Sequence, residues 1–481
     1  MAIRALVGLL AIAFTVASLV AGEPAQTARP NVLFLAVDDL RPELGCYGAK
    51  EIKSPNIDRL AQTGVLFTRA YCQQAVCGAT RNSLLSGLRP DTTRIYDNLR
   101  SFRKVFPELV ALPQQFKDHG YHSVGMGKIY HQNDPLSWSE PWIDVKAMDW
   151  LAPDSIAIRQ KRAADAKAQG LKGTKADRAS RGPAFEAADV PDDAYGEGQL
   201  ATHAIEKLRA MAGRPFFLAV GMYRPHLPFN CPKKYWDLYN PNTISLPAHR
   251  EPPKNCPEVA LTEWGEMRSY AGIPKAGPVT EEQARSLIHG YHACVSYTDA
   301  QIGRILDELD RLGLADNTIV ILWGDHGWKL GDYGMWCKHT NFEIDTHVPL
   351  IVRAPGAKGN GRRAEGLVEF VDIYPTLCDL AGLPLPEHLE GKSFAPVLDE
   401  PARPGKETAM SQYPRGKLMG CSMRTERYRL TLWVDNDRRS EVQFTELYDF
   451  VADPDGTVNL AAEPAHANLV EELTAKLRAN W

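Results

Sequence analysis

A cysteine and an arginine spaced four residues apart are the first residues in this sequence that suggest chemistry. Cys77 and Arg81 lie in the stretch CGATR, which continues through a helix-like segment that ends at Gly87. Residues i and i+4 share one face of a helix, and the N–H groups at a helix start favour an anion. The pair could therefore hold a small oxyanion. So short a pattern is more often a buried thiol beside a surface arginine, so its meaning depends on other residues.

Acidic side chains follow two runs of apolar residues that have the length of buried strands. Asp38 and Asp39 come directly after NVLFLAV, and Asp325 and His326 follow TIVILWG. In open α/β sheets, ligands bind beyond the carboxyl ends of the strands. Carboxylates that converge there repel one another unless a cation lies between them, and Ca²⁺ accepts irregular sets of oxygen ligands. The pattern predicts a calcium site, although turn or cap residues would look the same in isolation. His326 could ligate the ion or donate a hydrogen bond.

Four further side chains that carry or transfer protons occur in loops after predicted strands. They are Lys128, His131, His226 and Lys338. Each one alone would be an ordinary solvated or packed side chain. Together with Arg81 and a metal ion, they would form an anion pocket that contains two histidines for proton transfer.

Strands and helices alternate along most of the chain, and these elements must position the residues above. Buried strands are predicted at residues 31–37, 121–125, 216–220, 318–323 and 350–353, and helices at 55–64, 112–119, 205–211 and 302–312. Ser54 is predicted to cap the first helix. The alternation predicts an α/β fold with a large, mostly parallel sheet. Residues 145–198 show little periodicity and are predicted to form a long surface excursion.

The character of the sequence changes after a Pro-rich stretch at residues 401–405. Residues 428–433 and 444–449 resemble antiparallel strands, and residues 466–480 an amphipathic terminal helix. We therefore predict a catalytic domain over residues 30–404 and a small C-terminal domain over residues 405–481.

The N-terminus has the features of a secretory signal. Arg4 precedes an apolar run, and small residues follow at Ala21 and Gly22. A membrane anchor is the alternative, because the run is only slightly shorter than a bilayer span. We predict a cleaved signal at residues 1–21 and a secreted or periplasmic protein without stable membrane association.

Charge and cysteine content narrow the functional classes further. The chain carries 55 Lys and Arg against 59 Asp and Glu, which argues against a nucleic-acid-binding protein that relies on bulk charge. Its nine cysteines are an odd number, so at least one is unpaired. Cys231 and Cys256 flank a Pro-rich loop and are the best candidates for a disulfide.

The Cys-x-Ala-x-Arg pattern followed by SLLSG resembles the signature of the type I sulfatases. Within this family, the sequence more specifically resembles the iduronate-2-sulfatase subfamily. The shared stretches are residues 31–48, 54–97, 125–131, 215–229, 324–349 and 446–460. It implies an alkaline-phosphatase-like fold: a large, mostly parallel sheet flanked by helices, with a smaller C-terminal α+β domain. It also implies a sulfuric ester hydrolase that acts on a sulfated saccharide, in a glycosaminoglycan or another sulfated polysaccharide.

The resemblance also assigns roles to individual residues. Cys77 would be oxidised by a maturase to formylglycine, whose hydrated aldehyde is the nucleophile. One Ca²⁺ would be held by Asp38, Asp39, residue 77, Asp325 and His326. Catalysis would use Arg81 and Lys128 to steady the nucleophile and sulfate, His131 as the base that breaks down the intermediate, and His226 and Lys338 at the sulfate and leaving oxygen. Many family members carry Pro where this chain has Ala79, which bears on which maturase accepts it.

Two other functions remain open at this point. A phosphonate or phosphate ester hydrolase of the same superfamily would share the nucleophile and the metal. A non-catalytic glycan-binding homologue would share the pocket alone.

Overall fold

The computed structural model describes residues 29–145 and 150–481, so the predicted signal at residues 1–21 lies outside the described residues. The strands are β1 (Asn31–Val37), β2 (Val65–Tyr71), β3 (His122–Gly127), β4 (Phe185–Ala188), β5 (Phe216–Met222), β6 (Phe229–Pro232), β7 (Thr318–Gly324), β8 (Lys329–Leu330), β9 (Trp336–Cys337), β10 (His347–Arg353), β11 (Arg363–Ala364), β12 (Val368–Glu369), β13 (Ala409–Arg415), β14 (Leu418–Arg424), β15 (Tyr428–Asp435) and β16 (Val442–Asp449). The helices are α1 (Pro55–Thr63), α2 (Cys77–Ser86), α3 (Pro90–Thr93), α4 (Phe102–Val105), α5 (Leu112–Asp118), α6 (Pro153–Ala168), α7 (Gly173–Ala179), α8 (Gly196–Met211), α9 (Lys233–Trp236), α10 (Glu281–Arg311), α11 (Glu343–Thr346), α12 (Ile373–Ala381), α13 (Ala395–Asp399) and α14 (Ala467–Asn480).

A large sheet with the strand order β11-β2-β10-β7-β1-β5-β3 forms the centre of the molecule, and β12 pairs with β2. Strands β7, β1, β5 and β3 are parallel to one another, whereas β10 runs antiparallel to both of its neighbours. The predicted mostly parallel sheet is thus confirmed. In register, Val37 of β1 lies opposite Met222 and Gly324, so these strands end at the same edge.

Strand β1 is buried along its whole length because both faces of the sheet are covered. Leu33 and Leu35 face a core that includes α1, α8 and α10. Val32 and Phe34, which point to the opposite face, lie in a second core with α2, α5 and α12. Alternate strand residues point to opposite faces, so a strand covered on both sides is apolar at every position. This explains the uninterrupted apolar run that made β1 easy to predict.

The N-terminus of α1 is capped by a residue distant in sequence. Ser54 occupies the expected cap position, but its side chain makes no capping hydrogen bond. Its hydroxyl instead accepts from the N–H of Gly45, at 3.0 Å. Asp299 of α10 accepts hydrogen bonds from the N–H groups of Asn56, at 3.0 Å, and Ile57, at 2.7 Å. The predicted cap position of Ser54 is therefore confirmed, but a carboxylate from another helix, and not the Ser54 hydroxyl, accepts from the first N–H groups of α1.

The segment predicted as a surface excursion contains regular structure that its sequence pattern concealed. It includes α6, α7, β4 and the start of α8. Helix α6 lies on the surface and buries only Ser155 and Ala166. A helix that buries so little has no apolar stripe for a periodicity argument to detect, whereas its Ala, Lys and Arg residues favour helix by intrinsic propensity.

An antiparallel sheet with the order β13-β14-β15-β16 follows the large sheet in the chain. Leu473 and Leu477 of α14 pack into the core on this sheet. Within the described residues, every helix is too short or too polar to cross a membrane. The predicted Cys231–Cys256 disulfide is wrong, since all nine cysteines are free. Cys231 is buried in β6, whereas the Cys256 thiol lies 3.7 Å from the Glu446 carboxylate of β16.

Candidate active site

Four potential ligands meet where the parallel strands end. Carboxylate oxygens of Asp38 and Asp39, the Cys77 sulfur and a ring nitrogen of His326 all lie within 4.8 Å of one another. Each of these residues is at most 2 % exposed. The structure therefore brings together residues that the sequence separates by up to 288 positions, through the common edge of β1 and β7 and the start of α2.

Cys77 is the first residue of α2, a helix in which every residue is buried. Its sulfur lies 3.2 Å from Nε2 of His326. The next residue, Gly78, has a steric reason to be glycine, because a Cβ there would lie 2.5 Å from the carbonyl oxygen of Asp97. Close packing at this point fixes how the helix begins and therefore where Cys77 is placed.

Arg81 is fully buried, and its guanidinium donates hydrogen bonds to other groups of the protein. Its Nε donates to Asp325, at 3.0 Å, and its Nη2 to Asp38, at 3.4 Å. Its Nη1 donates to the carbonyl oxygens of Lys128 and Ile129. The sequence left open whether Arg81 holds an anion with Cys77 or is a surface charge, and its burial contradicts the second of these. Its hydrogen bonds tie the ends of β1, β3 and β7 together.

Two lysines form ion pairs with the paired aspartates. Lys128 donates to Asp38, and Lys338 lies 2.9 Å from an oxygen of Asp39. Although burial opposes ionisation, Lys128 holds the pKa of Asp38 well below its usual range. For Asp39, burial and the repulsion from Asp38 outweigh Lys338 and raise its pKa well above the usual value. The positive charge near Asp39 is thus too small to stabilise its ionised form.

Asp325 lies at the edge of this cluster. Its Oδ1 accepts from the backbone N–H of Asp39, at 3.0 Å, and lies 3.6 Å from Nε2 of His326. The other ring nitrogen of His326, Nδ1, is 3.0 Å from the carbonyl oxygen of Gly327. A carbonyl can only accept, so Nδ1 carries a proton and Nε2 is the ring nitrogen that faces the cluster.

The residues present fit a hard divalent cation. Asp38, Asp39 and Asp325 are fully buried carboxylates, and carboxylate oxygens are the ligands that Ca²⁺ prefers. A cation would supply the positive charge that Asp39 lacks. A thiol is a poor ligand for Ca²⁺, whereas an oxygen at the same place on residue 77 would complete the set.

Glu266 is a site residue that the sequence analysis missed. Its carboxylate lies 3.0 Å from Nε2 of His226 and 3.0 Å from the Lys338 ammonium. Despite its burial, Lys338 and His226 hold the pKa of Glu266 well below its usual value. Glu266 lies in an irregular loop, outside any predicted strand end, and a single acidic residue there gave no signal.

His131 also lies at the cavity, after β3. Its Nδ1 is buried and has no hydrogen-bond partner among the described residues. Burial and the neighbouring Lys128 lower its pKa to about 4. The ring is therefore neutral near pH 7, with a free position for a proton.

A cavity of about 600 Å³ opens above Cys77, and three parts of the chain line it. Loops after the parallel strands contribute Lys128, His131 and His226. The segment after α7 contributes Arg181, and β13 of the C-terminal sheet contributes Arg415. The cavity wall thus combines loops of the large sheet with the segment after α7 and with β13 of the C-terminal sheet.

Sequence comparison settles the family. A family model described as Sulfatase matches residues 30–383, and a second model, N-sulphoglucosamine sulphohydrolase, C-terminal, matches residues 331–480. The chain belongs to the sulfatase family. Iduronate 2-sulfatases of Mus musculus and Homo sapiens are each 35% identical to it; the first match covers 92% of this chain and 93% of the mouse protein, and the second 88% and 90%. The protein is therefore a sulfuric ester hydrolase that is similar to iduronate 2-sulfatases over most of its length.

Solved structures agree with the sulfatase fold. A phosphonate monoester hydrolase of Agrobacterium radiobacter superposes with a TM-score of 0.72 at 25% identity, over 94% of this chain and 95% of that one. The predicted alkaline-phosphatase-like fold is confirmed.

Proposed function

We propose that this sulfatase removes sulfate from a sulfated sugar, with iduronate 2-sulfate in a glycosaminoglycan as the first candidate. The choice of sugar is supported by the 35% identity to two iduronate 2-sulfatases. The observation that carries the chemistry is the convergence of Asp38, Asp39, Cys77 and His326 within 4.8 Å at the floor of a cationic cavity.

Residue 77 is the proposed nucleophile, after a maturase has oxidised Cys77 to formylglycine. Burial and the neighbouring Asp38 raise the pKa of the Cys77 thiol to about 12, so the unmodified side chain holds little thiolate at neutral pH. The hydrated aldehyde would supply a hydroxyl as nucleophile and a second hydroxyl for release of the sulfate. Ala79 in place of the more common Pro leaves the choice of maturase to be tested.

One Ca²⁺ is the proposed cofactor. Asp38, Asp39, Asp325, His326 and the oxygen of matured residue 77 would hold it, and when bound it would make a coordinated hydroxyl more acidic. Arg81 positions two of these carboxylates through its hydrogen bonds. Lys128 and Lys338 line the cavity and would bind the sulfate oxygens.

His226 is the proposed acid for the leaving oxygen. Its Nδ1 lies 2.6 Å from the Leu227 carbonyl oxygen and its Nε2 lies 3.0 Å from Glu266. Both ring nitrogens face acceptors, so a doubly protonated ring would donate a hydrogen bond at each of them. Burial and two lysines, Lys338 and Lys128, lower the His226 pKa. A proton held at Nε2 beside Glu266 would therefore be given up readily to the sugar oxygen.

His131 is the proposed base in the second half of the reaction. Its lowered pKa keeps it neutral, and its unpartnered Nδ1 is available to take a proton from the remaining hydroxyl of residue 77. Loss of that proton would expel sulfate without water attacking the sulfur atom.

We also propose that residues 30–404 form the catalytic domain and residues 405–481 a smaller domain that completes the cavity wall, since β13 begins at Ala409 and contributes Arg415. Export to the periplasm or the medium through a signal at residues 1–21 belongs to the same proposal.

The test compares hydrolysis of three substrates by matured enzyme. A disaccharide with 2-sulfated iduronate should release sulfate faster than its 6-sulfated counterpart. A phosphonate monoester should react far more slowly than either, although the enzyme resembles a phosphonate hydrolase in fold. Preference for the phosphonate would overturn the proposal, and so would the absence of any sulfate release from enzyme whose residue 77 is shown by mass to be matured.

A further inference from the structure

The cavity contains more positive charge than the binding of one sulfate ester requires. Its lining includes six cationic side chains: Lys128, Arg178, Arg181, Arg224, Lys338 and Arg415. Glu266 is the one carboxylate among the lining residues. Whether this excess remains depends on how many of the six cations are paired with carboxylates behind the wall.

Three of the six cations are already paired with carboxylates. Lys128 bonds to Asp38, and Lys338 to Asp39. Arg224 is fully buried, and Glu197 is its main favourable electrostatic partner. These side chains therefore contribute little unbalanced charge.

The other three arginines, Arg178, Arg181 and Arg415, form no ion pair with a carboxylate in residues 29–145 or 150–481. Arg181 donates to the Ser269 hydroxyl, at 2.9 Å, and its guanidinium lies 4.9 Å from the Tyr270 ring centre. These partners are neutral, so they orient the guanidinium without cancelling its charge.

Arg415 is held in a similar way at the end of β13. Its Nη2 donates to the carbonyl oxygens of Leu261, at 2.7 Å, and His339, at 2.6 Å. The guanidinium lies 4.6 Å from the Tyr413 ring centre. Arg415 nevertheless lines the cavity, and its partners, two carbonyl oxygens and a tyrosine, are neutral. Arg178 is exposed, and its side chain forms no hydrogen bond within the described residues.

We propose that Arg178, Arg181 and Arg415 form a second anion subsite, which binds an oxyanion of the substrate other than the sulfate that is cleaved. That oxyanion is a carboxylate or a further sulfate on the saccharide. Arginine suits this task because its planar fork binds both groups through two parallel hydrogen bonds. The inference rests on the proposed function in one respect, namely that the scissile sulfate occupies the deep end of the cavity at residue 77.

The subsite explains how the enzyme would select polyanionic saccharides. A substrate with one sulfate gains only the interactions at Lys128 and Lys338. A substrate with a second oxyanion also gains charge-assisted hydrogen bonds, each of which contributes about 1.5–3 kcal/mol. This corresponds to roughly a 10- to 100-fold lower KM for the polyanion.

The kinetic test uses Arg178→Ala, which removes no side-chain hydrogen bond or ion pair among residues 29–145 and 150–481, together with Arg181→Ala and Arg415→Lys. Substrates are 4-nitrophenyl sulfate, with one anionic group, and a 2-sulfated uronate linked to a 6-sulfated glucosamine. Each Ala variant should raise KM for the disaccharide at least about tenfold more than KM for the aryl sulfate, with little effect on kcat. Lys175→Ala, an exposed change in α7, serves as the matched control and should alter neither KM.

Two modified disaccharides identify the oxyanion. If the carboxylate binds here, reducing it to an alcohol should abolish the difference in KM between wild type and Arg178→Ala. If the second sulfate binds here, removing the 6-sulfate should do so. Equal KM changes for the aryl sulfate and the disaccharide, or none for either, would overturn the subsite.

A binding measurement separates this inference from the proposed function. Calorimetry with Cys77→Ala protein and the disaccharide that lacks the 2-sulfate needs no turnover. Weaker binding by the Arg181→Ala double variant, in that background, would support the subsite even if wild type released no sulfate. Unchanged binding, with normal sulfate release by wild type, would reject the subsite and leave the proposed function standing.

Discussion

Nε2 of His226 lies 3.0 Å from the carboxylate of Glu266, and the same carboxylate lies 3.0 Å from the ammonium of Lys338. Glu266 thus joins a histidine that follows β5 of the large sheet to a lysine that follows β9 of the two-stranded β8-β9 sheet. Because its own pKa is held well below the usual value, Glu266 stays ionised and stabilises the protonated form of His226.

Replacing Glu266 with Gln should therefore weaken the acid. We expect kcat to fall roughly 10- to 100-fold for a sugar sulfate, a part of the contribution typical of general acid catalysis. The loss should be smaller for 4-nitrophenyl sulfate, whose leaving group needs little protonation. Initial rates with both substrates check this. Glu258→Gln, an exposed change in the same loop region, is the control, and an equal loss on both substrates would contradict the role.

His131→Ala and His226→Ala should arrest the reaction at different points. Without His131, sulfur transfer should still occur, so sulfated residue 77 should accumulate with a burst of sugar product. Without His226, no burst is expected. Intact mass after brief mixing distinguishes them. An adduct that builds up in His226→Ala and not in His131→Ala would reverse the two roles.

The pH profile should reflect the lowered pKa of His131, which lies at about 4. A base works in its neutral form, so its activity persists above this pKa and declines as the pH falls through it. The acidic limb of single-turnover sulfate release should therefore lie below pH 6.5, the ordinary range of histidine. A limb at or above pH 6.5 that disappears in His131→Gln would show that this pKa is not lowered.

Removal of the metal should affect stability as well as turnover. Without a cation, the buried carboxylates of Asp38, Asp39 and Asp325 repel one another, so exhaustive chelation should lower Tm and abolish activity. Added Ca²⁺ should restore both. Asp39→Asn removes one of the repelling charges, so chelation should lower its Tm less than that of the wild type. Metal-free enzyme with full activity would sink the calcium assignment.

Asp299 should matter for stability far from the cavity. Asp299→Ala leaves the N–H groups of Asn56 and Ile57 without their acceptor, which should cost about 1–3 kcal/mol of unfolding free energy. Asp307→Ala is a matched control, since Asp307 also links α10 to α1 through an exposed ion pair with Arg59, a type that contributes about 0–1 kcal/mol. Denaturant unfolding measures both, and equal losses would contradict the cap.

The same carboxyl makes stability depend on pH. Burial, only partly offset by the hydrogen bonds from Ile57 and Asn56, raises the Asp299 pKa to about 6, above the unfolded value of about 3.9. The folded state therefore binds this proton more tightly. Its stabilising contribution is complete below about pH 4 and is lost as the pH rises through 6. The difference in unfolding free energy between wild type and Asp299→Asn should change over that interval and be constant above it.

The sequence predicted those features whose physical cause is local. Strands β1 and β7 were found because burial on both faces requires apolar residues at every position, and the site residues after them followed from where strands end. Helix α6 was missed because only Ser155 and Ala166 of it are buried. Glu266 and Asp299 were missed because their partners lie far away in the sequence, so only the folded chain shows what they contact.

Arg81 shows the limit of reading a motif by spacing. Its position four residues after Cys77 was correctly taken to place both on one helix, α2. The direction of its guanidinium, however, is set by Asp38 and Asp325, which arrive from two other strands. Helical periodicity says which residues share a face, but not which groups the neighbouring strands bring to that face.

The central position of β1 has a consequence for synthesis of the protein. Val32 of β1 pairs with Phe217 on one side and Ile319 on the other, so this strand leaves the ribosome long before either of its partners has been made. At about 5–20 residues per second, the stretch from residue 32 to 217 takes roughly 10–40 s to make. During that interval the sheet cannot close, and Cys77, later enclosed in a fully buried helix, stays open to a modifying enzyme. A modification of Cys77 would therefore have to take place before the closing of the sheet buries this residue.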